Sequence, residues 1–513
     1  MATSGTVEVE QKFDADASTP LPPLDQLESI GKVGEPASHS LEAIYFDTRH
    51  LALAARGITL RRRTGGPDAG WHLKLPHSAG RRTEIQAPLG TADAVPVELM
   101  DRVIAYTRGH AVGAIATLNT ERTSYPLYGT DGHRVADFVD DHVSAKSMLG
   151  EPREPRELQW REWEVELADS DDADEAENAL LGSITRQLSE AGAKPSERTS
   201  KLATALGEAW PAPKRTVREE PSGKGPAVVP VLNYLDEQVA EMLLQDSHVR
   251  LDREDSVHQM RSQIRRIRAV LHGYSALFEP DAVKDLEREL KSLAKTLGRY
   301  RDVEVLHERL KGSLDELPGK LVLGQLVDEL EERMSVRAGT AMSAVRNRLN
   351  SPRYFTLLDN LEAFLEHPPL AAKGSAPALK TTAKLVNKAG KRLRKRHDEA
   401  VSAAVGPQRD KAFHEVRKAA KKLRFAAAAV EGIHGKRAVK LGNAAHNVQS
   451  ILGDHQDSVM AREELLKLGS APGISNGAFT YGVLHAMERT AAEATQQEYL
   501  QKGTKARKLR LKK

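Results

Sequence analysis

The spacing of apolar and polar residues changes character near residue 220. Before it, short segments alternate apolar and polar positions, with glycine, proline and aspartate between them. Alternation sends successive side chains to opposite faces of a strand, so this part is predicted to form an antiparallel sheet. The predicted strands include TVEVEQKF, GITLRRR, WHLKLP, RRTEIQAPL, HRVADFV and REWEVELAD, and residues 171–190 are predicted to form a helix outside the sheet.

After residue 220, apolar residues recur at helical spacing. Five of them stand three and four residues apart, which places them on one stripe of a helix: Val257, Met260, Ile264, Ile267 and Leu271. Segments rich in proline and glycine at 207–230 and 367–377 separate the sheet part from the helical part and divide the helical part in two.

The two helical pieces repeat one pattern. DSVHQMRSQIRRIRAVL from Asp255 aligns with KAFHEVRKAAKKLRFAA from Lys411 at an offset of 156 residues. LGRYRD from Leu297 aligns with LGDHQD from Leu452 at an offset of 155. Two blocks in nearly constant register indicate an internal duplication of a helical bundle.

These patterns predict a multi-domain chain that is first β and then all-α. We place a β domain at 5–205, a linker at 206–230 and a helical domain at 231–500, with repeats at about 231–366 and 378–500. The basic tail at 501–513 is expected to project into solvent, either as a solubilising segment, which we favour, or as one that strengthens contact with polyanions.

Composition excludes several classes of protein and site. The 513 residues include no cysteine, which excludes disulfides, thiolate zinc sites and thiol nucleophiles. No uncharged apolar run approaches the roughly 18 residues that a membrane helix needs, so no membrane partner is expected. Acidic Glu8 and Glu10 exclude a signal peptide, and we predict a cytoplasmic protein.

Charge is distributed unevenly along the chain. Residues 1–220 carry 25 Lys and Arg against 36 Asp and Glu, a net charge of −11, and residues 221–513 carry 50 against 36, a net charge of +14. Either the helical part binds a polyanion or its surface uses basic residues for solubility. An aromatic content of 4% disfavours a single-stranded nucleic acid as that partner.

Charged residues in the predicted strands fall on one face. An open sheet could expose that face to water, but some strands carry acids and others bases, which favours a closed barrel with a charged interior. Clustered carboxylates bind Mg²⁺ or Mn²⁺, and clustered Arg and Lys bind phosphate oxygens. The alternating charges are Glu8, Glu10 and Lys12; Arg61 and Arg63; His72 and Lys74; Arg82 and Glu84; and Glu162, Glu164 and Glu166.

The N-terminal part resembles the CYTH domain of the triphosphate tunnel metalloenzymes. The ExExK motif at residues 8–12 is followed in order by IYFDT, LRRR, HLK, ADF, EVE and SK. The resemblance implies an N-terminal eight-stranded antiparallel β tunnel with peripheral helices, in which acid-held metals and basic residues bind a triphosphate.

Roles at the tunnel site follow from this resemblance. It implies catalytic roles for Glu8, Glu10 and Lys12, and Mg²⁺ or Mn²⁺ as cofactor. The implied metal ligands are Glu8, Glu10, Asp137, Glu164 and Glu166. The implied substrate-binding residues are Lys12, Arg61, Arg63, Lys74, Arg82, Arg122 and Lys201.

Each helical repeat places a histidine and three cations on one helix face. Four such groups along one face repel each other unless an anion covers them. This part resembles the CHAD domain, which implies a C-terminal pair of four-helix bundles that bind inorganic polyphosphate in a basic groove. The implied polyphosphate-binding residues are His258, Arg261, Arg265, Arg268, Lys291 and Lys295, with His414, Arg417, Lys421 and Arg424 in the second repeat.

The leading hypothesis is a metal-dependent hydrolase of inorganic triphosphate whose helical part binds polyphosphate. The main alternative is a polyphosphate-binding protein without enzymatic activity that associates with polyphosphate granules. Adenylyl cyclase and thiamine triphosphatase use the same kind of tunnel, but no adenine or thiazole pocket is evident in the sequence. Asp302 and Asp457 are interpreted as residues that position the basic groups.

Overall fold

The computed structural model divides the chain into two compact units, residues 1–216 and 217–513. It describes the chain except residues 1–4, 28–29, 79–80, 92–93, 150–155, 169–174, 199, 215–218, 324–325, 471–476, 504 and 513. At residues 5–8, 77–78, 81–82, 156, 175–178 and 505–506 it describes the backbone alone.

The first unit is built on one antiparallel sheet. Its strands within the described residues are β1 (Gly5–Ala15), β2 (Ile30–Val33), β3 (Ala37–Asp47), β4 (Thr59–Thr64), β5 (Gly70–Ser78), β6 (Arg81–Ala87), β7 (Gly113–Gly129), β8 (Arg134–Ser147), β9 (Arg156–Leu167) and β10 (Lys194–Pro195).

Eight of these strands close into a barrel. The order runs β1-β6-β5-β4-β3-β7-β8-β9, and β1 pairs again with β9, so that Glu10 lies opposite Glu166 and Lys12 opposite Glu164. All these pairings are antiparallel. The short strands β2 and β10 add to β7 and β1 from outside the ring. The predicted antiparallel β tunnel is therefore confirmed.

The apolar residues of the barrel face outward. Phe13, Phe138 and Trp163 pack against Ile184 and Leu188 of a peripheral helix, and all five are buried. This arrangement leaves the charged side chains of the same strands on the inside, because neighbouring residues of a strand alternate between its faces. The helices of this unit are α1 (Val97–Thr107), α2 (Glu175–Glu190) and α3 (Lys201–Leu206).

Helix α2 corresponds to the helix predicted at 171–190, whose first residues, 171–174, lie outside the described residues.

The second unit is helical. Its helices are α4 (Val228–Arg250), α5 (Ser256–Gly273), α6 (Pro280–Asp315), α7 (Leu326–Leu349), α8 (Pro352–Glu366), α9 (Ala378–Ser402), α10 (Pro407–Ala428), α11 (Glu431–His434), α12 (Lys436–Gly469), α13 (Gly477–Lys502) and α14 (Lys505–Lys508). Across the described parts of the chain, no helix combines the length and the apolar character needed to cross a membrane.

The duplicated pattern forms two sets of helices that share one unit. The apolar stripe of α5 is buried, as its spacing predicts. Helices α5 and α10 carry the two copies of the basic motif and pack together, and the Tyr274 hydroxyl donates to the backbone oxygen of Ala426, 2.5 Å away. Helices α6 and α7 share a second apolar cluster with α12 and α13, which includes Leu310, Leu330 and Leu465.

The basic tail was expected to project into solvent, and this expectation is wrong for its described residues. The Leu511 side chain is only 3% exposed. The backbone N–H of Leu511 donates to Oδ1 of Asn387 at 3.0 Å, and Nδ2 of Asn387 donates to the Leu511 oxygen at 2.8 Å. Burial of a leucine between basic residues holds the segment against α9.

Candidate functional site

The interior of the barrel forms a cavity that opens to solvent. Strand β4 lies four strands from β9 in either direction around the ring, so their side chains face each other across the interior. The lining residues are Glu10, Lys12, Tyr45, Thr59, Arg61, Arg63, Asp68, Lys74, Glu84, Gln86, Arg122, Glu164, Glu166, Ser200 and Lys201.

Lys201 stands inside a cage of three carboxylates. It begins α3, whose N-cap Ser200 accepts a hydrogen bond from the Ala203 N–H at 3.1 Å and so fixes where the lysine enters the barrel. Its Nζ lies 2.8 Å from Asp141, 2.7 Å from Glu162 and 2.8 Å from Glu164. An ammonium has three donors, so each is directed to one carboxylate.

Two carboxylates of this cage, Asp141 and Glu162, keep pKa values below their usual ranges despite burial. Burial alone would lower the pKa of Lys201, but the nearby Asp141 and Glu162 more than offset it and raise that pKa. Burial likewise opposes ionisation of Asp141, and Lys201 and Arg122 outweigh it, so the pKa of Asp141 falls well below its usual range. The cage is a mutually stabilised ion cluster in a side of the cavity shielded from water.

Arg122 of β7 joins this cage to a second acidic group. Its guanidinium binds Asp141 through two bonds of 2.7 and 2.9 Å and donates to Glu164 at 2.8 Å. Its Nη1 also lies 3.7 Å from Glu166. The fork of five donors on an arginine suits such a bridge between several carboxylates.

The second acidic group combines Glu10 with Glu164 and Glu166. One carboxylate oxygen from each lies within 4.8 Å of the others. Three carboxylates at this spacing fit a hard divalent cation such as Mg²⁺ or Mn²⁺, which prefers oxygen ligands. Lys12 contacts Glu164 and places its Nζ 3.3 Å from Glu10. Burial lowers the pKa of Lys12, with Glu10 acting in the opposite direction.

The opposite wall carries arginine and lysine. Arg61 and Arg63 alternate on β4, and the buried Nε of each has no hydrogen-bond partner among the described residues. Nη1 of Arg61 lies 3.4 Å from the Tyr45 hydroxyl. Burial, and then the neighbouring Arg61 and Arg122, lower the pKa of Arg63 to about 9. Arg63, which also contacts the Asp68 carboxylate, would gain from an added anion.

A buried histidine supports the lysine of this wall. Nδ1 of His72 contacts one oxygen of Glu84, and the other oxygen lies 3.2 Å from Nζ of Lys74. Nε2 of His72 lies 2.9 Å from the Asp68 backbone oxygen. Burial lowers the pKa of His72 to about 4, although its contact with Glu84 opposes this shift. Glu84 therefore bridges His72 and Lys74 and orients the ammonium of Lys74.

The tunnel brings together most of the residues implied by the resemblance. Glu10, Lys12, Arg61, Arg63, Lys74, Arg122, Glu164, Glu166 and Lys201 all line the cavity. The side chains of Glu8 and Arg82 lie outside the described residues, although their backbones pair with each other between β1 and β6. Asp137 belongs to neither acidic group, and both of its oxygens contact Arg134.

Sequence reasoning missed Asp141 and did not assign a site role to Glu84. Asp141 stands four residues after Asp137 on β8, so the same alternation that selected Asp137 also directs Asp141 into the barrel. Its position opposite Glu162 on β9 completes the cage around Lys201.

The helical unit carries a strip of cations on α5 and α10. His258, Arg261, Arg265 and Arg268 share one face of α5, and His414, Arg417, Lys421 and Arg424 share one face of α10. Burial, and then Arg417 and Arg265, lower the pKa of Lys421 to about 6. Burial, and then Arg261 and Arg417, lower the pKa of Arg265 to about 10. The cations of the two helices therefore repel one another across a shared space.

The second motif of each repeat positions one of these arginines. Gly298 of α6 faces Arg261, and a β-carbon added there would lie 3.4 Å from Nη2 of that arginine. Asp302, one turn further along α6, lies 3.4 Å from Nη2 of Arg261. The second repeat matches it, since Gly453 faces Arg417 and Asp457 acts on its charge. A side chain larger than a methyl group at either glycine would meet the guanidinium.

The two histidines differ in their surroundings. Nδ1 of His414 lies 2.6 Å from Oε1 of Gln456. The equivalent residue of the first repeat is Arg301, whose charge lowers the pKa of His258 after the effect of burial. The buried Nδ1 of His258 has no hydrogen-bond partner in the described part of the chain. Lys291 and Lys295 are exposed on α6.

Two domain families match the chain. The CYTH domain matches residues 8–193, and the CHAD domain matches residues 233–466. Two Mycobacterium tuberculosis sequences, from strains CDC 1551 / Oshkosh and H37Rv, are each 39% identical to this chain over 501 residues. Each alignment covers 96% of this chain and 94% of the relative.

Solved structures are also similar to parts of the chain. PptA from Streptomyces chartreusis is 25% identical with a TM-score of 0.46, and covers 55% of this chain and 100% of its own. The CHAD domain from the plant Ricinus communis is 20% identical with a TM-score of 0.42, and covers 57% of this chain and 93% of its own.

The family matches confirm both resemblances drawn from the sequence. At the level of these families, the tunnel is associated with metal-dependent enzymes that act on triphosphates, and the helical unit with polyphosphate binding. The chain belongs to the family of proteins that join an N-terminal CYTH domain to a C-terminal CHAD domain.

Proposed function

We propose that the tunnel hydrolyses inorganic triphosphate with Mg²⁺ or Mn²⁺, and that the strip on α5 and α10 binds inorganic polyphosphate. One observation carries the first part of this proposal. Arg61, Arg63 and Lys74 line the same cavity as Glu10, Glu164 and Glu166. Phosphoryl transfer needs both kinds of group, since cations neutralise the phosphate oxygens and carboxylates hold a metal.

The basic wall binds the phosphate chain. The unpartnered Nε groups of Arg61 and Arg63 and the ammonium of Lys74 supply donors for successive phosphate oxygens. Lys12 extends this set toward the carboxylates, because its Nζ already lies beside Glu10 and Glu164. Arg82 remains a predicted member of the set.

Glu10, Glu164 and Glu166 hold the metal, with Glu8 as a further predicted ligand. A bound Mg²⁺ or Mn²⁺ supplies an activated water and neutralises charge on the phosphate that is transferred. Lys201 directs its three donors at carboxylates, so its proposed role is to hold Glu164 in place instead of binding phosphate. Arg122 keeps Glu164 and Glu166 at a fixed separation from the other side.

The test is phosphate release from tripolyphosphate by the full chain with Mg²⁺ or Mn²⁺. We expect Glu10→Gln to lower the rate more than about 100-fold, because changing even the outer partners of a metal ligand typically costs about 10–100-fold. Glu42→Gln, at an exposed position on β3, is the matched control and should retain full activity. A metal-saturated protein that leaves tripolyphosphate intact would contradict the proposal.

Polyphosphate binding has a separate test in the same protein. We expect the double variant Arg261→Gln/Arg265→Gln to weaken binding of a long polyphosphate while leaving tripolyphosphate hydrolysis unchanged. Retained polyphosphate binding by a protein that shows no hydrolysis would instead support the non-enzymatic alternative, a binding protein that associates with polyphosphate granules.

A further inference from the structure

We propose that α9 and the docked C-terminal segment, residues 507–512, form a second polyphosphate-binding surface, separate from the strip on α5 and α10. This inference rests on the proposed binding of polyphosphate by the helical unit. It favours the less favoured of the two sequence-based interpretations of the tail, contact with a polyanion, and adds that the segment is docked on α9.

The segment is held at a defined place by apolar burial and by hydrogen bonds. Leu511 is buried, and Asn387 of α9 makes two hydrogen bonds with its backbone. Nη1 of Arg394 donates to the Arg507 backbone oxygen at 3.3 Å. Nη1 of Arg507 lies 2.6 Å from Nε2 of the buried His397. These contacts fix the backbone, and with it the directions in which the basic side chains leave it.

Both partners in this contact are strongly basic. Residues 378–397 of α9 contain eight Lys and Arg and no Asp or Glu, and residues 505–513 contain six Lys and Arg and no Asp or Glu. Asn387, Lys391 and Arg394 stand four and three residues apart, so the helix presents them on the side where the segment lies. Lys391, Lys508, Arg510 and Lys512 are exposed.

Bringing these groups together costs electrostatic energy in the absence of an anion. Burial, and then Arg510 and Arg507, lower the pKa of Arg394, which shows that the guanidinium groups repel each other. Asp398 offers partial compensation, with Oδ1 3.7 Å from Nη2 of Arg507. Apolar burial and amide hydrogen bonds thus hold a strongly basic surface, and a polyanion laid across it would relieve the repulsion.

Two observations favour polyphosphate over nucleic acid as that polyanion. The described residues of the segment and of the adjoining face of α9 include no exposed aromatic side chain on which a base could stack. Arg392, on the neighbouring stripe of α9, acts on Lys422 and His272 at the edge of the strip. A chain of phosphates long enough to leave the strip therefore meets further cations along α9.

The experiment compares three full-length variants in their binding to long-chain polyphosphate over a range of salt. Lys508→Gln/Arg510→Gln/Lys512→Gln removes three exposed cations of the surface. Lys311→Gln/Lys320→Gln/Lys467→Gln removes three exposed cations elsewhere and is the matched control. Asn387→Ala/Leu511→Ala keeps every charge but removes the contacts that dock the segment.

We expect the surface variant to reduce the slope of log K against log salt by about 2, because each released counterion of a single-stranded polyanion contributes about 0.7. The control should keep the wild-type slope. Tripolyphosphate hydrolysis should be the same in all three variants, since none of the substitutions lies in the tunnel. The docking variant should weaken long-chain binding although its net charge is unchanged.

Other outcomes overturn the inference in distinguishable ways. If wild type binds polyphosphate and the surface variant behaves like the control, this second surface does not bind it, while the proposed function stands. If the docking variant binds like wild type, the tail acts as a mobile arm and no built surface exists. If the surface variant loses binding to a single-stranded RNA but not to polyphosphate, the partner is nucleic acid. If wild type binds no polyphosphate, the proposed function itself fails.

Discussion

Replacing Lys201 by methionine tests whether its ammonium is what stabilises the buried carboxylates of the tunnel. The side chain is 9% exposed, and Asp141, Glu162 and Glu164 around it are between 0% and 6% exposed. Methionine keeps much of the length and apolar stem of lysine but removes its charge. The substitution leaves three carboxylates in a buried cluster, with Arg122 at Asp141 and Glu164 and Lys12 at Glu164 as the remaining cationic contacts.

The expected loss follows from the cost of unpaired buried charge. Removing one partner of a buried ion pair typically costs about 3–5 kcal/mol, because the other charge stays desolvated. For a unit of 150–250 residues, each 1 kcal/mol lowers the unfolding midpoint by about 2–4 °C. We therefore expect Lys201→Met to lower the midpoint of the tunnel unit by about 6–20 °C at pH 7. The difference should shrink near pH 5, because the carboxylates regain protons once Lys201 no longer lowers their pKa.

Tryptophan fluorescence reports on this unit within the full chain. All four tryptophans, Trp71, Trp160, Trp163 and Trp210, lie in residues 1–216. Lys32→Met, at an exposed position on β2, is the matched control and should leave the midpoint unchanged. A decrease of less than about 2 °C for Lys201→Met would refute the interpretation of Lys201 as the compensating charge of the cage.

The same variant gives a second measurement. Without the ammonium, Asp141, Glu162 and Glu164 offer oxygen atoms within 4.8 Å of one another to a divalent cation. Mn²⁺ should therefore stabilise Lys201→Met more than wild type, by about 2.7 kcal/mol at a concentration 100 times its Kd. Equal stabilisation of the two proteins by Mn²⁺ would show that the cage does not accept the metal.

Three further predictions concern the two sites. Polyphosphate affinity should rise by up to about tenfold per pH unit from pH 8 to pH 6. Burial and neighbouring arginines lower the pKa of Lys421 to about 6, so Lys421 takes up a proton when polyphosphate binds. Fluorescence anisotropy should show that Lys421→Arg flattens this pH dependence. Gly298→Leu should weaken polyphosphate binding at least about tenfold by displacing the Arg261 guanidinium, since hydrogen bonds of charged groups contribute about 1.5–3 kcal/mol. In calorimetric titrations, the control Gly298→Ala should retain the wild-type affinity. The free energy of unfolding of the tunnel should decrease as the pH drops below about 4. Lys201 and Arg122 outweigh burial and hold the pKa of Asp141 below its value in the unfolded chain, and protonation removes that stabilisation. Urea unfolding of Asp141→Asn should show a flatter pH profile than wild type.

Most tunnel residues were predicted from the alternation of charged and apolar residues along single strands. It placed Glu10, Lys12 and Glu164 on the interior without knowledge of which strands are neighbours. It could not show which cation meets which carboxylate, because that depends on the register between β8 and β9, which sets Asp141 opposite Glu162. Lys201 stays a predicted phosphate-binding residue, but the sequence did not show that its Nζ lies beside Asp141, Glu162 and Glu164, which stand about 40–60 positions earlier in the chain.

The helical unit shows a similar limit. The repeat offset correctly grouped Arg261 with the motif that contains Gly298 and Asp302, because both blocks recur together. The tail was predicted to project into solvent because the prediction considered its basic residues and not its leucines. Leu511 alternates with basic residues, a pattern that fits an extended segment whose apolar side packs against the protein. The sequence does not reveal that Asn387 of α9 is its hydrogen-bond partner.

Closure of the barrel has a consequence for the order in which the site is formed during synthesis. Strand β1 finds one of its neighbours, β9, about 150 residues later in the chain. A contact of such long sequence separation forms slowly, because a large loop must be closed before any hydrogen bond rewards it. Glu10 of β1 can join Glu164 and Glu166 only after β9 has left the ribosome. A nascent chain shorter than about 170 residues therefore has an open sheet edge, of the kind that favours edge-to-edge association, and lacks the group of Glu10, Glu164 and Glu166.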